Sequence, residues 1–330
     1  MLPSETLSPW HLCIAPMLDW TDRHFRFFMR LCAKNSRLYT EMVTTGALLF
    51  GDKQRHLAYS SEEHPIALQL GGSDPQALAE CAKLAAAYHY DEINLNVGCP
   101  SDRVQSGQFG ACLMKQPKRV AECIKAMREV VDIPITVKTR IGVDELDSYE
   151  FLNDFIGTVR DAGCNVFIIH ARKAWLKGLS PKENRDIPPL CYPRVYALKK
   201  DFPDCVVVIN GGIKSLDEIT THVSRNLDGV MIGREAYHNP YHMAIIHQQL
   251  FVNSQQETPS QFEIIKQFLS YIETQLSQGV RLQNITRHIL NLFNGMPNAK
   301  MFRRYLSQHA YLPNAGVEVV EQALAMLGSA

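Results

Sequence analysis

Eight short apolar, β-rich runs, helical patterns between most of them, and a strand-free stretch beyond about Pro240 predict a (β/α)₈ TIM barrel followed by a C-terminal all-α helical domain. The runs are residues 12–15, 38–42, 66–70, 92–95, 135–139, 166–169, 206–209 and 229–232. Helical spacing of apolar residues fills 75–88, 117–130, 149–162 and 215–224. Short buried strands alternating with amphipathic helices imply parallel β/α units, and eight of them match a closed barrel. A doubly wound open sheet would more often carry a G-x-G-x-x-G after its first strand, and none follows residues 12–15. The expected division is a barrel over 1–243 and a helical domain over 244–330, with helices at 264–275, 285–293, 299–306 and 317–327.

Bulk composition narrows the function classes. The 330 residues are 46% hydrophobic, enough for a substantial core, and Lys+Arg and Asp+Glu both total 34. A globally basic nucleic-acid binder is thereby excluded, although a local basic patch is not. The nine cysteines are odd in number, lack any C-x-x-C pair and mostly sit in apolar segments, which predicts a reduced, cytoplasmic protein without a zinc site or other metal. No basic-then-apolar leader and no run approaching the roughly 20 residues of a bilayer span is present, so a soluble protein with no membrane association is expected, and a monomer is expected beside it.

In a barrel of this kind chemistry gathers at the C-terminal strand ends. Taken in order, these ends carry Pro16, Met17, Leu18 and Asp19; Glu41; Gln69, Leu70, Gly71 and Gly72; Asn94, Leu95, Asn96, Val97, Gly98, Cys99 and Pro100; Lys138 and Arg140; His170 and Arg172; Asn210, Gly211 and Gly212; and Gly233 with Arg234. The glycine turns after the seventh and eighth strands suit a phosphate, because glycine lets backbone N–H groups approach an anion and Arg234 adds a charge. Tight turns without a ligand are the plainer alternative.

Lys138 lies among apolar residues and needs a partner; a flavin ring edge that becomes negative on reduction would supply one, as would a Schiff base or an ion pair. Gln69 offers a donor and an acceptor, suited to a pyrimidine edge or to a turn. Cys99 stands in a loop rather than an apolar run, and an ordinary thiol is mostly protonated at neutral pH, so it reads as an acid or as an inert loop cysteine. His170 at a strand end points to phosphate or substrate.

These segments together resemble the tRNA-dihydrouridine synthase family. The matching pieces are Ala15 to Asp22 (APMLDWTD), Gln69 to Gly72, Asn94 to Pro100, Lys138 to Arg140, Ile169 to Arg172, Asn210 to Ile213 and Gly229 to Arg234, and Asn96-x-Gly98-Cys99-Pro100 is the most specific. Gly178 to Arg185 (GLSPKENR), followed by Asp186 to Leu190, looks like the A-type bacterial subfamily. The resemblance implies FMN across the barrel mouth, held by Pro16, Met17, Leu18 and Gln69, with Lys138 at its N1/O2 side. His170, Asn210, Gly211, Gly212, Gly233 and Arg234 would hold the phosphate. It further implies NADPH as reductant, hydride delivery to uridine C6, and Cys99 as proton donor to C5. The uridines would be positions 20 and 20a of the tRNA D-loop, turned out of the fold to reach the pocket. Asn96 would contact the target nucleotide, and Lys182, Arg185, Lys300 and Arg303 the tRNA.

The last two of these also have a local rationale, because Lys300, Arg303 and the neighbouring Arg304 share one helix face at i, i+3 and i+4, with Arg287 and His288 on the preceding segment. An ordinary solvated face is the alternative. Two other functions compete: an FMN barrel acting on a free pyrimidine, like dihydroorotate dehydrogenase, and a non-catalytic RNA-binding protein on a degenerate barrel.

Overall fold

The computed structural model describes residues 7–251 and 257–328; residues 1–6, 252–256 and 329–330 of the two expected domains lie outside the described residues. Its strands are β1 (Leu12–Ile14), β2 (Arg37–Tyr39), β3 (Val43–Thr44), β4 (Ile66–Gly71), β5 (Glu92–Val97), β6 (Ile135–Arg140), β7 (Val166–His170), β8 (Val206–Asn210) and β9 (Gly229–Ile232). Every ladder is parallel, and because β1 pairs with both β2 and β9 while β2 also pairs with β4, the sheet closes on itself. The chain is thus a (β/α)₈ TIM barrel with a helical C-terminal region.

Closure depends on one glycine. A Cβ at Gly229 would lie 1.9 Å from the carbonyl oxygen of Trp10, so only glycine lets β9 come alongside β1. The run at 38–42, read as one strand, divides into β2 and β3. Between them the Thr40 hydroxyl accepts the backbone N–H of Gln69 at 3.0 Å, which takes the place of a ladder bond. β3 then pairs only with the C-terminal end of β4, Val43 opposite Leu70.

Surrounding helices start where the sequence places caps. Asp74 caps Pro75–Ala87, Ser148 caps Tyr149–Asp161, and Ser215 with Glu218 forms a capping box on Leu216–Val223. Inside the barrel, Cys13, Tyr39, Ala67, Ile168, Val208 and Met231 form a buried apolar cluster. Glu92, Asn94 and Thr136 are fully buried as well, and Glu92 adjoins that cluster by accepting the Tyr39 hydroxyl at 3.0 Å.

The chain forms two compact units, Met1–Leu18 with Arg37–Gly233, and Asp19–Ser36 with Arg234–Ala330. The second unit contains the helices Arg23–Cys32, Pro240–Phe251, Gln261–Ser277, Leu282–Thr286, Ala299–His309 and Val317–Ala325. The helix expected at 285–293 is a correction: it ends at Thr286 and continues as tight turns, such as His288 N–H to Ile285 O and Leu292 N–H to Ile289 O. Ile289, Leu292 and Phe293 are nonetheless buried, so the apolar spacing served packing rather than a continuous helix.

Candidate active site

The strand register brings the predicted polar residues of the first unit into layers. Gln69 on β4 lies opposite Asn94 on β5, and Asn94 opposite Thr136 on β6. One layer nearer the C-terminal rim, Asn96 lies opposite Lys138; beyond it Arg140 lies opposite His170, and His170 opposite Asn210. Residues two apart on a strand share a face, so Glu92, Asn94 and Asn96 share one face of β5, as do Thr136, Lys138 and Arg140 of β6.

The Cys99 loop leaves the end of β5 and is tied down at several points. Asn96 Oδ1 accepts the backbone N–H groups of Gly98 and Cys99, both at 3.0 Å. The Cys99 carbonyl accepts the N–H of Ala111 at 2.9 Å. Gly110 has a φ of 75°, and a Cβ there would sit 2.5 Å from that same carbonyl oxygen, which accounts for glycine in the turn. The thiol lies 3.5 Å from Ser101 Oγ and is partly exposed. Arg140, buried, donates to the carbonyl of Gly98 at 2.9 Å and to those of Lys173 and Asn184 at 3.0 and 2.9 Å. Gln105 donates to Pro100 O and Leu176 O at 2.8 and 2.7 Å. The cysteine loop and the loop above β7 are therefore held together through backbone carbonyls.

Lys138 donates to Asn210 Oδ1 at 3.2 Å. Burial, reinforced by Arg140, pulls its pKa down to about 7, with Cys99 acting in the opposite direction. A lysine beside a neutral amide in such a place is matched to an anionic or electron-rich group. His170 is held neutral at pH 7: burial lowers its pKa well below the usual value, and Arg140, Lys138, Arg172 and Arg185 all push the same way. It therefore serves as a hydrogen-bonding group and not as a cation.

Gly211 and Gly212 follow β8 with φ of 112° and 78°. A Cβ on Gly211 would approach His170 Cδ2 to 2.6 Å, and one on Gly212 would approach Leu190 Cδ1 to 2.6 Å. The turn thus needs glycine at both positions and presents bare backbone, a cradle fitted to a phosphate. Gly233 differs: a Cβ there would meet Ala15 Cβ at 3.6 Å and Met17 Sδ at 3.9 Å, ordinary contacts that do not demand glycine. Pro16 and Met17 are partly exposed at the end of β1, and Leu18 is 68% exposed. Lys182 and Arg185 are exposed on the loop above β7.

In the second unit, Arg234 opens the short helix Arg234–His238. Lys300 and Arg303 lie on Ala299–His309, Lys300 exposed and Arg303 hydrogen-bonded to Asn294 Oδ1. Arg287 and His288 are corrected: they do not extend this basic face, because both bind Asp22, at 2.7 and 2.9 Å. Asp22 also caps the helix Arg23–Cys32. Burial would raise its pKa, but His288 and the cap N–H groups outweigh that and hold the carboxyl below the usual range. Among the described residues, no group of three His, Cys, Asp or Glu side chains is placed to hold a metal, and no helix is long and apolar enough to cross a membrane.

Residues 13–327 match the family model Dihydrouridine synthase (Dus). The chain belongs to that family. It is similar to the tRNA-dihydrouridine(20/20a) synthases of Escherichia coli strain K12, at 60% identity over 99% of this chain and 94% of the relative, and of Vibrio cholerae, at 61% identity over 96% of each. Two solved structures share the fold at low identity. Morphinone reductase gives a TM-score of 0.52 with 13% identity, covering 74% of this chain and 87% of that one. A 2-naphthoyl-CoA reductase complex gives 0.54 with 12%, covering 70% and 49%.

Within this dihydrouridine synthase-family chain, sequence reasoning had not assigned roles to Glu92, Thr136 and Asn184. Asn184 is fully buried, accepts the N–H of Trp175 at 2.7 Å and donates to Trp175 O at 2.9 Å, stapling the loop that carries Lys182 and Arg185. Its sequence signal is its place between charged residues in the Gly178 to Arg185 segment.

Proposed function

We propose that the chain is an FMN-dependent tRNA-dihydrouridine synthase that uses NADPH to reduce the C5–C6 bond of uridines 20 and 20a, working in the cytoplasm as a monomer. One observation supports this best: Cys99, Lys138 and the left-handed Gly211-Gly212 turn sit at the C-terminal ends of strands of a single barrel. Near-complete coverage of relatives bearing that name supports the choice of tRNA as substrate.

The residues fit FMN. The Gly211-Gly212 cradle with Asn210, His170 and Gly233 suits the phosphate. Lys138 suits the ring edge that gains charge, and Gln69, Pro16, Met17 and Leu18 suit the rest of the ring. Bound FMN would supply the hydride that ends on uridine C6, after NADPH has reduced it. Cys99 holds the proton for C5 on a loop braced by Asn96 and Arg140. Neutral His170 contributes a hydrogen bond without competing for that proton. Asn96 commits its oxygen to the loop and keeps one amide hydrogen for the target nucleotide. Lys182 and Arg185 on the first unit, and Lys300 and Arg303 with Arg234 on the second, supply cations for tRNA or phosphate. All nine cysteines are free thiols, in keeping with a reducing compartment.

The test incubates the purified protein with NADPH and either unmodified tRNA or free orotate, then maps dihydrouridine. Product at positions 20 and 20a, with orotate inert, is expected. Turnover of orotate with tRNA untouched would overturn the reading.

A further inference from the structure

Below the rim, the polar part of the lumen forms one continuous chain of hydrogen bonds. Thr136 Oγ1 donates to Glu92 Oε1 at 2.5 Å and accepts from Asn94 Nδ2 at 2.8 Å. Asn94 Oδ1 accepts from Gln69 Nε2 at 2.8 Å, and Gln69 Oε1 accepts from Asn96 Nδ2 at 3.0 Å. Asn96 Oδ1 then accepts the N–H groups of Gly98 and Cys99. Every bond runs in the same sense, from the cysteine loop toward Glu92.

Both ends impose that sense. At the top, two backbone N–H groups can meet only the oxygen of Asn96, which turns its amide nitrogen toward Gln69. At the bottom, Glu92 is fully buried, accepts hydrogen bonds from Trp10 Nε1 at 2.7 Å, Tyr39 OH at 3.0 Å and Thr136, and forms an ion pair with the Arg37 guanidinium at 3.3 Å. An acceptor at the bottom makes the Thr136 oxygen an acceptor in turn, and each amide above follows. An amide or hydroxyl turned the wrong way would set donor against donor in a dry lumen, where an unmade bond is costly. An acceptor facing Thr136 is what this position requires.

We infer that Glu92 is a positioning residue: through Thr136 and Asn94 its carboxylate sets which way the amides of Gln69 and Asn96 face, and so holds the Cys99 loop. Gln69 is thereby left with one N–H and one lone pair in a defined order for a ring edge. The inference rests on the proposed function where it concerns the ring, but its effect on the Cys99 loop does not.

The test uses Thr136→Val, which keeps the shape and deletes the hydroxyl, with Thr136→Ser as the rescue. The flavin-free full chain is alkylated with iodoacetamide and Cys99 is followed by peptide mass spectrometry, Cys191 serving as reference. Thr136→Val is expected to speed Cys99 alkylation about five-fold, the scale of one lost hydrogen bond, with Thr136→Ser returning it to the wild-type rate. Glu92→Met, which removes the acceptor at the foot of the chain at similar volume, is expected to match Thr136→Val, and it replaces that variant should the latter not fold. In the flavin-loaded protein Thr136→Val should shift the flavin absorption bands and lower kcat on tRNA more than KM, again restored by serine. Equal Cys99 rates in wild type, Thr136→Val and Glu92→Met would overturn the inference, as would a serine variant as reactive as the valine one. Failure of the flavin reading would show as a colourless protein in every variant, leaving the alkylation comparison to decide.

Discussion

At the scale of single residues, Cys99 and Lys138 carry the sharpest expectations. The bonds that shape the Cys99 loop use its backbone N–H and C=O, so Cys99→Ala removes the thiol and leaves the loop intact. Flavin content and reduction by NADPH should persist, while dihydrouridine formation falls by roughly 10²-fold or more, the usual contribution of a general acid. Stopped-flow flavin reduction beside tRNA turnover measures the two separately, and unchanged turnover would remove Cys99 from the mechanism. Lys138 links the site to pH. Its folded pKa of about 7 lies below the 10.5 of an ordinary lysine, so between these values the unfolded chain binds more protons than the folded one. Stability of the flavin-free protein from this group therefore rises with pH above about 7, by at most about 1.4 kcal/mol per pH unit. Thermal melts between pH 7 and 8.5 should show this rise, and Lys138→Met should remove it; identical pH profiles would mean that Lys138 is not desolvated as described. These two residues stand out in the sequence because a loop cysteine and a lone lysine among apolar residues break the local pattern. Glu92 and Thr136 were not, since each is an ordinary strand residue until register sets it beside its partners from other strands.

Elements were legible to the extent that local forces decide them. Helices with a capping side chain, such as Pro75–Ala87 behind Asp74 or Leu216–Val223 behind Ser215, start where the sequence places them. The segment after Thr286 has helical spacing without a helix, and its pairing of Arg287 and His288 with Asp22 spans more than 260 positions, beyond any local pattern. The helix Ala299–His309 makes a prediction of its own. Its first turn carries Lys300 and no acid, and its N-cap residue, Asn298, makes no side-chain cap bond. A cation at that end opposes the helix dipole, so the arrangement does not serve helix stability. Lys300→Glu with Arg303→Glu should leave the melting temperature level or slightly raised and flavin content unchanged. It should weaken tRNA binding and flatten its salt dependence, because two cations able to neutralise phosphates and release counterions are replaced by acids. Filter binding across a salt series measures this, and unaltered affinity would return the face to ordinary solvation.

For the whole molecule, the consequential fact is that the helical unit is assembled from two distant stretches, Asp19–Ser36 and Arg234–Ala330. The short stretch supplies the helix Arg23–Cys32, on which Phe25, Phe28 and Met29 are fully buried. Their partners come from the long stretch: Phe28 lies 5.4 Å from Phe268 and Phe25 5.4 Å from Tyr237, Phe27 stacks on Tyr271 at 3.9 Å, and His24 hydrogen-bonds the Tyr271 hydroxyl at 2.8 Å. A chain ended after Gly233 keeps the barrel strands and this helix but loses Tyr237, Phe268 and Tyr271, which pack on it. Each buried Phe or Met then forfeits about 2 kcal/mol of burial and exposes an adjoining apolar surface. The truncated chain should aggregate or bind a hydrophobic dye strongly, even though all nine strands remain. Sedimentation and dye fluorescence of the two lengths would measure this. A truncated chain that stays monomeric and dark would show that Arg23–Cys32 finds its cover within the barrel unit, and that the two stretches fold independently.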